Sequence, residues 1–118
     1  MFQIQQARKG SSELLILSIL DDAPLHGYAI MRELEARSEG YFTMTAALLY
    51  PTLHKMESDH LIEGIWEKSQ GDRQKKVYSI TPHGREQLAE SRKEWKSFFN
   101  KFFNVINPVE MNKKPNEY

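Results

Sequence analysis

Cysteine is absent from the 118 residues of the chain, which excludes disulfides and thiolate metal sites. Long hydrophobic runs are absent too. The main apolar stretches, residues 14–20 and 46–50, fall far short of the roughly 18 residues that a membrane-spanning helix needs. The chain does not open with a basic segment followed by an apolar one, so no signal peptide is expected. These absences predict a cytoplasmic protein with no membrane partner.

Net charge is also lacking, because 16 basic residues balance 16 acidic ones. This balance argues against an indiscriminate polyanion binder. The charges are unevenly placed, however. Residues 11–39 carry two arginines against six acids, a net charge of −4, whereas residues 66–78 carry four basic residues against two acids, a net charge of +2. Small basic patches on a neutral chain are typical of a protein that touches phosphates at a few places.

Two helices are predicted in the first third of the chain. Ser11 or Ser12 can cap the first, whose body is the apolar run 14–20, and the alternative is that residues 1–10 extend this helix. A helix that is apolar nearly all round should be central to the core. It is expected to end before Pro24, because the residue before a proline avoids the helical region. The second helix is predicted over about 27–38.

A third helix is predicted to follow, with Thr43 or Thr45 as its N-cap. Pro51 falls inside this segment, and an interior proline removes a backbone donor and bends a helix. The sequence therefore predicts either a kink or a regular part that begins near Tyr50. Three residues spaced four and three apart share the face that should enter the core: Leu49, Leu53 and Met56.

The hydrophobic period changes after the third helix. Residues 61–66 and 76–80 have the pattern of strands, and the segment 69–74 between them contains Gly71, which suits a turn. This pattern predicts a β-hairpin with a basic tip. Three helices followed by a hairpin is the order of a winged helix-turn-helix, in which the hairpin is the wing.

A long final helix is predicted beyond the hairpin. Thr81 is a favoured N-cap and Pro82 suits the first helical position, and the helix should run to about Ile106. The predicted fold is mainly α with a small β-hairpin wing, a winged helix-turn-helix plus a long C-terminal dimerisation helix. Its parts would be a DNA-binding domain over 1–81, the dimerisation helix over 82–106 and a disordered tail over 107–118.

Enzymatic chemistry has little support in the sequence. No phosphate-cradling glycine loop and no nucleophile motif is present. The four histidines, His26, His54, His60 and His83, lack the spacing of a metal site. His54 and Glu57 could approach one ion from adjacent helical turns, but a solvated or DNA-facing histidine is the more ordinary explanation. We expect no enzyme activity, no cofactor and no metal.

The third helix is the natural reader of a major groove, which is wide enough to admit an α-helix. Small side chains at residues 43–47 permit close approach to base edges, and threonine and alanine methyls can contact thymine methyl groups. Tyr50 and Lys55 are better placed for phosphates, although Tyr50 can instead pack against a neighbouring helix. The predicted DNA-binding residues here are Thr43, Thr45, Ala46, Ala47, Tyr50, His54 and Lys55.

Basic residues at the wing are predicted to hold the DNA backbone. Arg73, Lys75 and Lys76 suit phosphate or minor-groove contact, and Lys9 adds a cation near the start of the chain. The alternative for the wing is a solvated charged hairpin.

The final helix carries a heptad-like seam with spacings of four, three, four, three and four. Its residues are Leu88, Arg92, Trp95, Phe99, Phe102 and Ile106. A domain of this size cannot cover so many aromatic side chains alone, so the seam predicts a homodimer. Trp95, with Phe99, can also stack on an aromatic effector at the dimer centre. Packing without any ligand is the alternative for both residues.

Four blocks of the sequence closely resemble the PadR family of transcriptional regulators. They are residues 9–17, 24–28 (Pro-Leu-His-Gly-Tyr), 49–53 (Leu-Tyr-Pro-Thr-Leu, ahead of Glu57) and 78–84 (Tyr-Ser-Ile-Thr-Pro-His-Gly). The resemblance covers about residues 9–106. It implies a winged-helix domain, a C-terminal dimerisation helix with the first helix also at the dimer interface, and repression through an inverted-repeat operator that a small molecule relieves in many members.

The resemblance also implies roles for single residues. The hydroxyl of Tyr28 would lie near a phosphate, and Trp95 matches a tryptophan with which some short members bind flat aromatic drugs. The sequence departs from the family at the start of the third helix, because Ala47 and Leu48 stand where relatives commonly have Gly-Thr. The operator sequence therefore cannot be inferred from that of relatives.

The sequence thus predicts a homodimeric, sequence-specific DNA-binding regulator, a repressor of a double-stranded operator that a small aromatic effector releases. Two alternatives remain at this point. One is a winged-helix protein–protein adaptor that never touches DNA, which the zero net charge allows. The other is a drug-binding protein in which the dimer cavity matters more than the operator.

Overall fold

The computed structural model describes the backbone of residues 4–68 and 74–107, and the side chains of these residues from Gly10 onwards. It is mainly helical, with a three-stranded antiparallel sheet in the order β1-β3-β2. The elements are α1 (Ile4–Leu20), β1 (Leu25–His26), α2 (Gly27–Arg37), α3 (Ala46–Ser58), β2 (Ile62–Lys68), β3 (Gln74–Ile80) and α4 (Pro82–Ile106). The predicted fold class is confirmed.

Two of the predicted helix caps are present. The Thr45 hydroxyl oxygen accepts a hydrogen bond from the Leu48 amide at 3.3 Å and so caps α3. The Thr81 hydroxyl oxygen accepts one from the Gly84 amide at 2.9 Å and so caps α4. Each bond satisfies one of the backbone donors that a helix leaves unpaired in its first turn. The predicted bounds of α4 are also confirmed.

The structure decides two local alternatives and adds one strand. Helix α1 begins at Ile4, so neither Ser11 nor Ser12 caps it; the polar residues before them include good helix formers that extend the helix. Helix α3 begins at Ala46 and continues through Pro51, so the alternative in which its regular part begins near Tyr50 is wrong. Strand β1 was missed, because two residues are too few to show a period.

The core lies where α1, α2 and α3 meet one face of the sheet. The three residues predicted to face inward from α3, namely Leu49, Leu53 and Met56, are completely buried. Helix α1 supplies Ile16, Leu17, Ile19 and Leu20, and α2 supplies Ile30 and Leu34. Because α1 is apolar on several sides, it can contact α2, α3 and α4 at once.

The hairpin of β2 and β3 is buried only at its base. Tyr78 and Ile80 on β3 and Ile62 on β2 belong to the core, with Ile62 paired to Ile80. Towards the tip, residues 65–68 on β2 and 74–75 on β3 are exposed. The outer half of the hairpin therefore extends from the body of the protein as a wing.

The base of α4 is locked to the base of the wing. The Thr81 hydroxyl donates to the His60 carbonyl oxygen at 2.7 Å, and the Thr81 amide donates to the Leu61 carbonyl oxygen at 3.1 Å. Gly84, in the first turn of α4, lies directly over that Leu61 carbonyl, so a Cβ at this position would collide with backbone. Only glycine allows this approach.

Substituting Gly84→Ala should lower the free energy of unfolding by about 2 kcal/mol, because the new methyl group must displace a backbone carbonyl in a packed junction. Urea denaturation followed by circular dichroism measures the change. Gly10→Ala is the matched control: nothing lies within 4 Å of that position, and alanine is the better helix former by about 1 kcal/mol. Equal midpoints for Gly84→Ala and the parent would show that the close approach does not constrain the fold.

Candidate nucleic-acid interface

Helix α3 has one buried face and one open face. The residues predicted to approach bases at the start of this helix, Thr43, Thr45, Ala46 and Ala47, are all exposed, and so are His54 and Lys55, which point away from the buried leucines and Met56. Small side chains at the start of α3 leave its backbone accessible. The open face can therefore come close to another macromolecule along its whole length.

Pro51 lies in the middle of this open face and is exposed. It cannot donate to the carbonyl of Ala47, and the hydroxyl of Thr52 donates back to the Leu48 carbonyl at 2.7 Å. Both features are locally unfavourable for a helix, and neither contributes to the core. Such exceptions to local preference concentrate at functional surfaces.

Tyr50 packs against the start of α2. A Cβ at Gly27 would lie only 2.6 Å from the Tyr50 hydroxyl oxygen, so the ring rests on the bare backbone of that glycine. The side chain is nevertheless 46% exposed. The structure thus gives Tyr50 the packing role of the alternative interpretation and still leaves part of the ring at the surface.

Lys55 forms ion pairs with two carboxylates of the same chain. Its Nζ lies 2.8 Å from Asp59 Oδ2, one turn further along α3, and 3.7 Å from Glu13 Oε2 on α1. The hydrogen bond to Asp59 raises the pKa of Lys55 above its ordinary value. Its positive charge is therefore partly offset, although the side chain remains 65% exposed.

Tyr28 is exposed near the start of α2, as a phosphate-binding hydroxyl would have to be. The Arg32 guanidinium carbon lies 5.8 Å from the centre of its ring, one turn further along the same helix. Arg32 was not among the residues predicted to bind DNA. The four-residue spacing between the two was the signal that could have joined them.

The wing residues differ in how much of their charge is exposed. Lys75 is exposed and opposite Glu67 in the β2–β3 register. Lys76 instead turns inward, and its Nζ lies 2.9 Å from Glu57 Oε1. The predictions for Arg73 and for the side chain of Lys9 lie outside what the structure describes.

Glu57, which could have approached one ion together with His54, has other partners. Its carboxylate accepts hydrogen bonds from Lys76 and from the Gly64 amide, so it points to the wing and not to His54. Within residues 4–68 and 74–107, no cluster of three His, Cys, Asp or Glu side chains suited to a metal ion is found. Nor does any helix in those ranges have the length and apolar character needed to cross a membrane.

The aromatic stripe of α4 is present beyond the core. We use this name for six residues at spacings of three, one, three, one and three: Trp95, Phe98, Phe99, Phe102, Phe103 and Ile106. Neighbouring rings lie 5.5–6.4 Å apart, and Phe99, Phe102 and Phe103 are more than 40% exposed. Leu88 does not belong with them, because it is 2% exposed and packs in the core of the chain itself. Arg92, a member of the predicted seam, is exposed.

Helices α2 and α3, joined by residues 38–45 and followed by a hairpin, define a winged helix-turn-helix protein. Residues 16–90 match the model of the transcriptional regulator PadR-like family. The chain belongs to this family and is a transcriptional regulator of the PadR type.

Individual relatives agree with this assignment. A transcriptional regulator of Mycobacterium tuberculosis is 31% identical over 90 residues, which are 76% of this chain and 80% of that protein. A PadR-like transcriptional regulator from Bacillus cereus superposes with a TM-score of 0.73 at 29% identity, covering 86% of this chain and 97% of that one.

One similar structure contains DNA. PadR of Bacillus subtilis in complex with operator DNA has a TM-score of 0.64 at 22% identity to this chain. The match covers 68% of this chain and 45% of that longer one, and at this identity it establishes likeness of fold.

Proposed function

We propose that this protein is a cytoplasmic repressor that binds an inverted-repeat operator in double-stranded DNA as a homodimer and that a small aromatic effector releases it. The observation that carries the DNA-binding proposal is the open face of α3, which is backed by a fully buried face and flanked by an exposed wing. Binding of operator DNA by the Bacillus subtilis relative, which has the same fold, supports it.

The proposed interface divides into reading and holding parts. The start of α3, from Thr43 to Ala47, would read base edges, with His54 further along the same face. Phosphates would be held by Tyr28 and by basic residues of the wing, with Lys75 the exposed lysine on described residues of β3. Lys9 and Arg73 keep the phosphate roles that the sequence predicts, and Lys55 can contribute only while paired with Asp59.

Substituting Lys75→Gln should weaken binding to all DNA sequences about equally and lower the slope of log K against log salt by about 0.9, the value for one phosphate contact. The measurement is fluorescence anisotropy with DNA from upstream of the protein's own gene at several salt concentrations. Lys93→Gln, which removes the same charge from α4, is the control. An unchanged slope for Lys75→Gln would remove Lys75 from the phosphate contacts.

The aromatic stripe supports the homodimer. Exposed apolar surface of this extent on a soluble chain marks an interface, and the three-and-four spacing is that of helices that pack side by side. Two copies related by a two-fold axis would present two α3 helices to half-sites of an inverted repeat, since operator symmetry mirrors protein symmetry. The stripe begins beyond Leu88, which packs in the core. On this proposal the start of the dimerisation helix over 82–106 also packs against the DNA-binding domain over 1–81, and the rest of the helix forms the dimer contact.

Substituting Phe102→Lys should convert the dimer to a monomer at micromolar concentration, because it would bury a charge in an apolar seam. Static light scattering gives the mass directly. Asn104→Lys places the same side chain on the opposite side of α4 and should leave the dimer intact. A monomeric mass for the parent protein would contradict the dimer, whatever the variant shows.

The effector proposal rests on Trp95 and Phe99. Their ring centres are 5.5 Å apart on α4, and a two-fold axis along the stripe would bring two such pairs together as a stacking site for a flat aromatic molecule. Planar aromatic compounds should quench tryptophan emission and release bound DNA. The Trp95→Phe variant retains only Trp66 and should show neither effect. Equal quenching in both proteins would place the binding elsewhere.

A further inference from the structure

One carboxylate of α3 contacts both strands of the wing. Glu57 Oε1 lies 2.9 Å from Lys76 Nζ on β3, and Oε2 accepts a hydrogen bond from the Gly64 amide on β2 at 3.3 Å. Glu57 and Lys76 are 19 residues apart in the chain, so the ion pair is a tertiary contact. It ties the C-terminal half of the reading helix to the hairpin.

The aliphatic part of the Lys76 side chain lies over a glycine and beside two aromatic rings. It runs across Gly64, where a Cβ would collide with Lys76 Cε. Its Nζ lies 5.8 Å from the ring centre of Trp66 and 5.5 Å from that of Tyr78, at cation–π distance. The lysine side chain is only 23% exposed, compared with 65% for Lys55.

The pair lies where the wing leaves the body of the protein. Tyr78 and Ile62, towards the base of the hairpin, are buried, whereas residues 65–68 and 74–75, towards the tip, are exposed. A strand advances about 3.3 Å per residue, so the direction of residues 65–68 and 74–75 is set at the base of the hairpin. A small rotation at Glu57 and Lys76 would displace these residues relative to the start of α3.

A phosphate-binding role for Lys76 conflicts with this arrangement. To reach a phosphate, the ammonium group would have to leave a charge-assisted hydrogen bond that raises its pKa, and it would leave the Glu57 carboxylate unpaired beside DNA. Lys75, its neighbour in sequence, lies on the opposite face of β3 and is exposed. That residue can reach phosphate without breaking the Glu57 contact.

We propose that Glu57 and Lys76 are positioning residues that fix the orientation of the wing relative to the reading helix, and that Lys76 does not itself hold a phosphate. This inference rests on the proposed DNA-binding function. It divides two adjacent lysines of one strand into two roles, Lys75 as a phosphate contact and Lys76 as an internal brace.

The test compares Lys76→Met, Glu57→Ala and the double variant with Lys75→Met, by anisotropy with DNA from upstream of the protein's own gene. Methionine keeps the apolar stem over Gly64 and removes the charge. We expect Lys76→Met and Glu57→Ala each to weaken binding about fivefold at one salt concentration with an unchanged salt slope. The double variant should be no weaker than either single one, and Lys75→Met should lower the slope by about 0.9.

A phosphate contact at Lys76 would give the opposite pattern. The slope for Lys76→Met would fall by about 0.9, and Glu57→Ala would tighten binding, because it frees a cation and removes an anion. Effects that add in the double variant would also overturn the proposal. Glu63→Ala, which removes an exposed carboxylate from the other face of β2, controls for the loss of negative charge.

A second measurement does not require DNA. Amide hydrogen exchange in β2 and β3 should be faster in Glu57→Ala and Lys76→Met than in the parent and in Glu63→Ala, while exchange in α1 stays the same. Unchanged exchange in the wing would overturn the brace. If the parent protein fails to bind DNA but the wing exchange responds as expected, the proposed function fails and the structural coupling stands.

Discussion

The complete burial of one face of α3 is the constraint on which the rest of the structure depends. Leu49, Leu53 and Met56 have no exposed surface, because α1, α2 and β2 pack around them. A helix anchored in this way cannot rotate about its axis without exposing leucine, so its opposite face is fixed at the surface. The open face therefore combines exposure with a defined orientation, which sequence reading by a helix requires.

The junction at Thr81 and Gly84 connects the wing and α4 to the domain that contains α3. The wing returns to the body through β3, and α4 departs from it within one turn, with Leu61 contacting both. Because this junction connects the aromatic stripe of α4 to the domain that carries the open face of α3, a second copy bound to the stripe would set the distance between the two α3 helices. On the proposed function, the effector site and the operator spacing are linked through this turn.

Periodicity predicted what is local and missed what depends on distant partners. The buried face of α3, the Thr81 cap and the bounds of α4 follow from residue types and spacings within a few positions of the chain. The start of α1 was left open between two alternatives, because a serine near the middle of a helix and a serine at its cap give the same sequence signal. Nothing near Lys76 in the sequence indicates that Glu57, 19 residues earlier, pairs with it, and nothing near Leu88 shows that it packs in the core of its own chain. These are tertiary effects that override local preference.

Ion pairs within the chain reduce the number of lysines that are available to bind DNA. Two of the lysines predicted to hold phosphates, Lys55 and Lys76, are already paired with Asp59 and Glu57. Fewer exposed cations then remain to release counterions from DNA, so the non-specific, salt-dependent part of the affinity should be small. On the proposed function, discrimination between sequences would fall mainly to the start of α3. If the proposed function and the brace hold, this neutral regulator would gain selectivity from its small attraction to DNA in general.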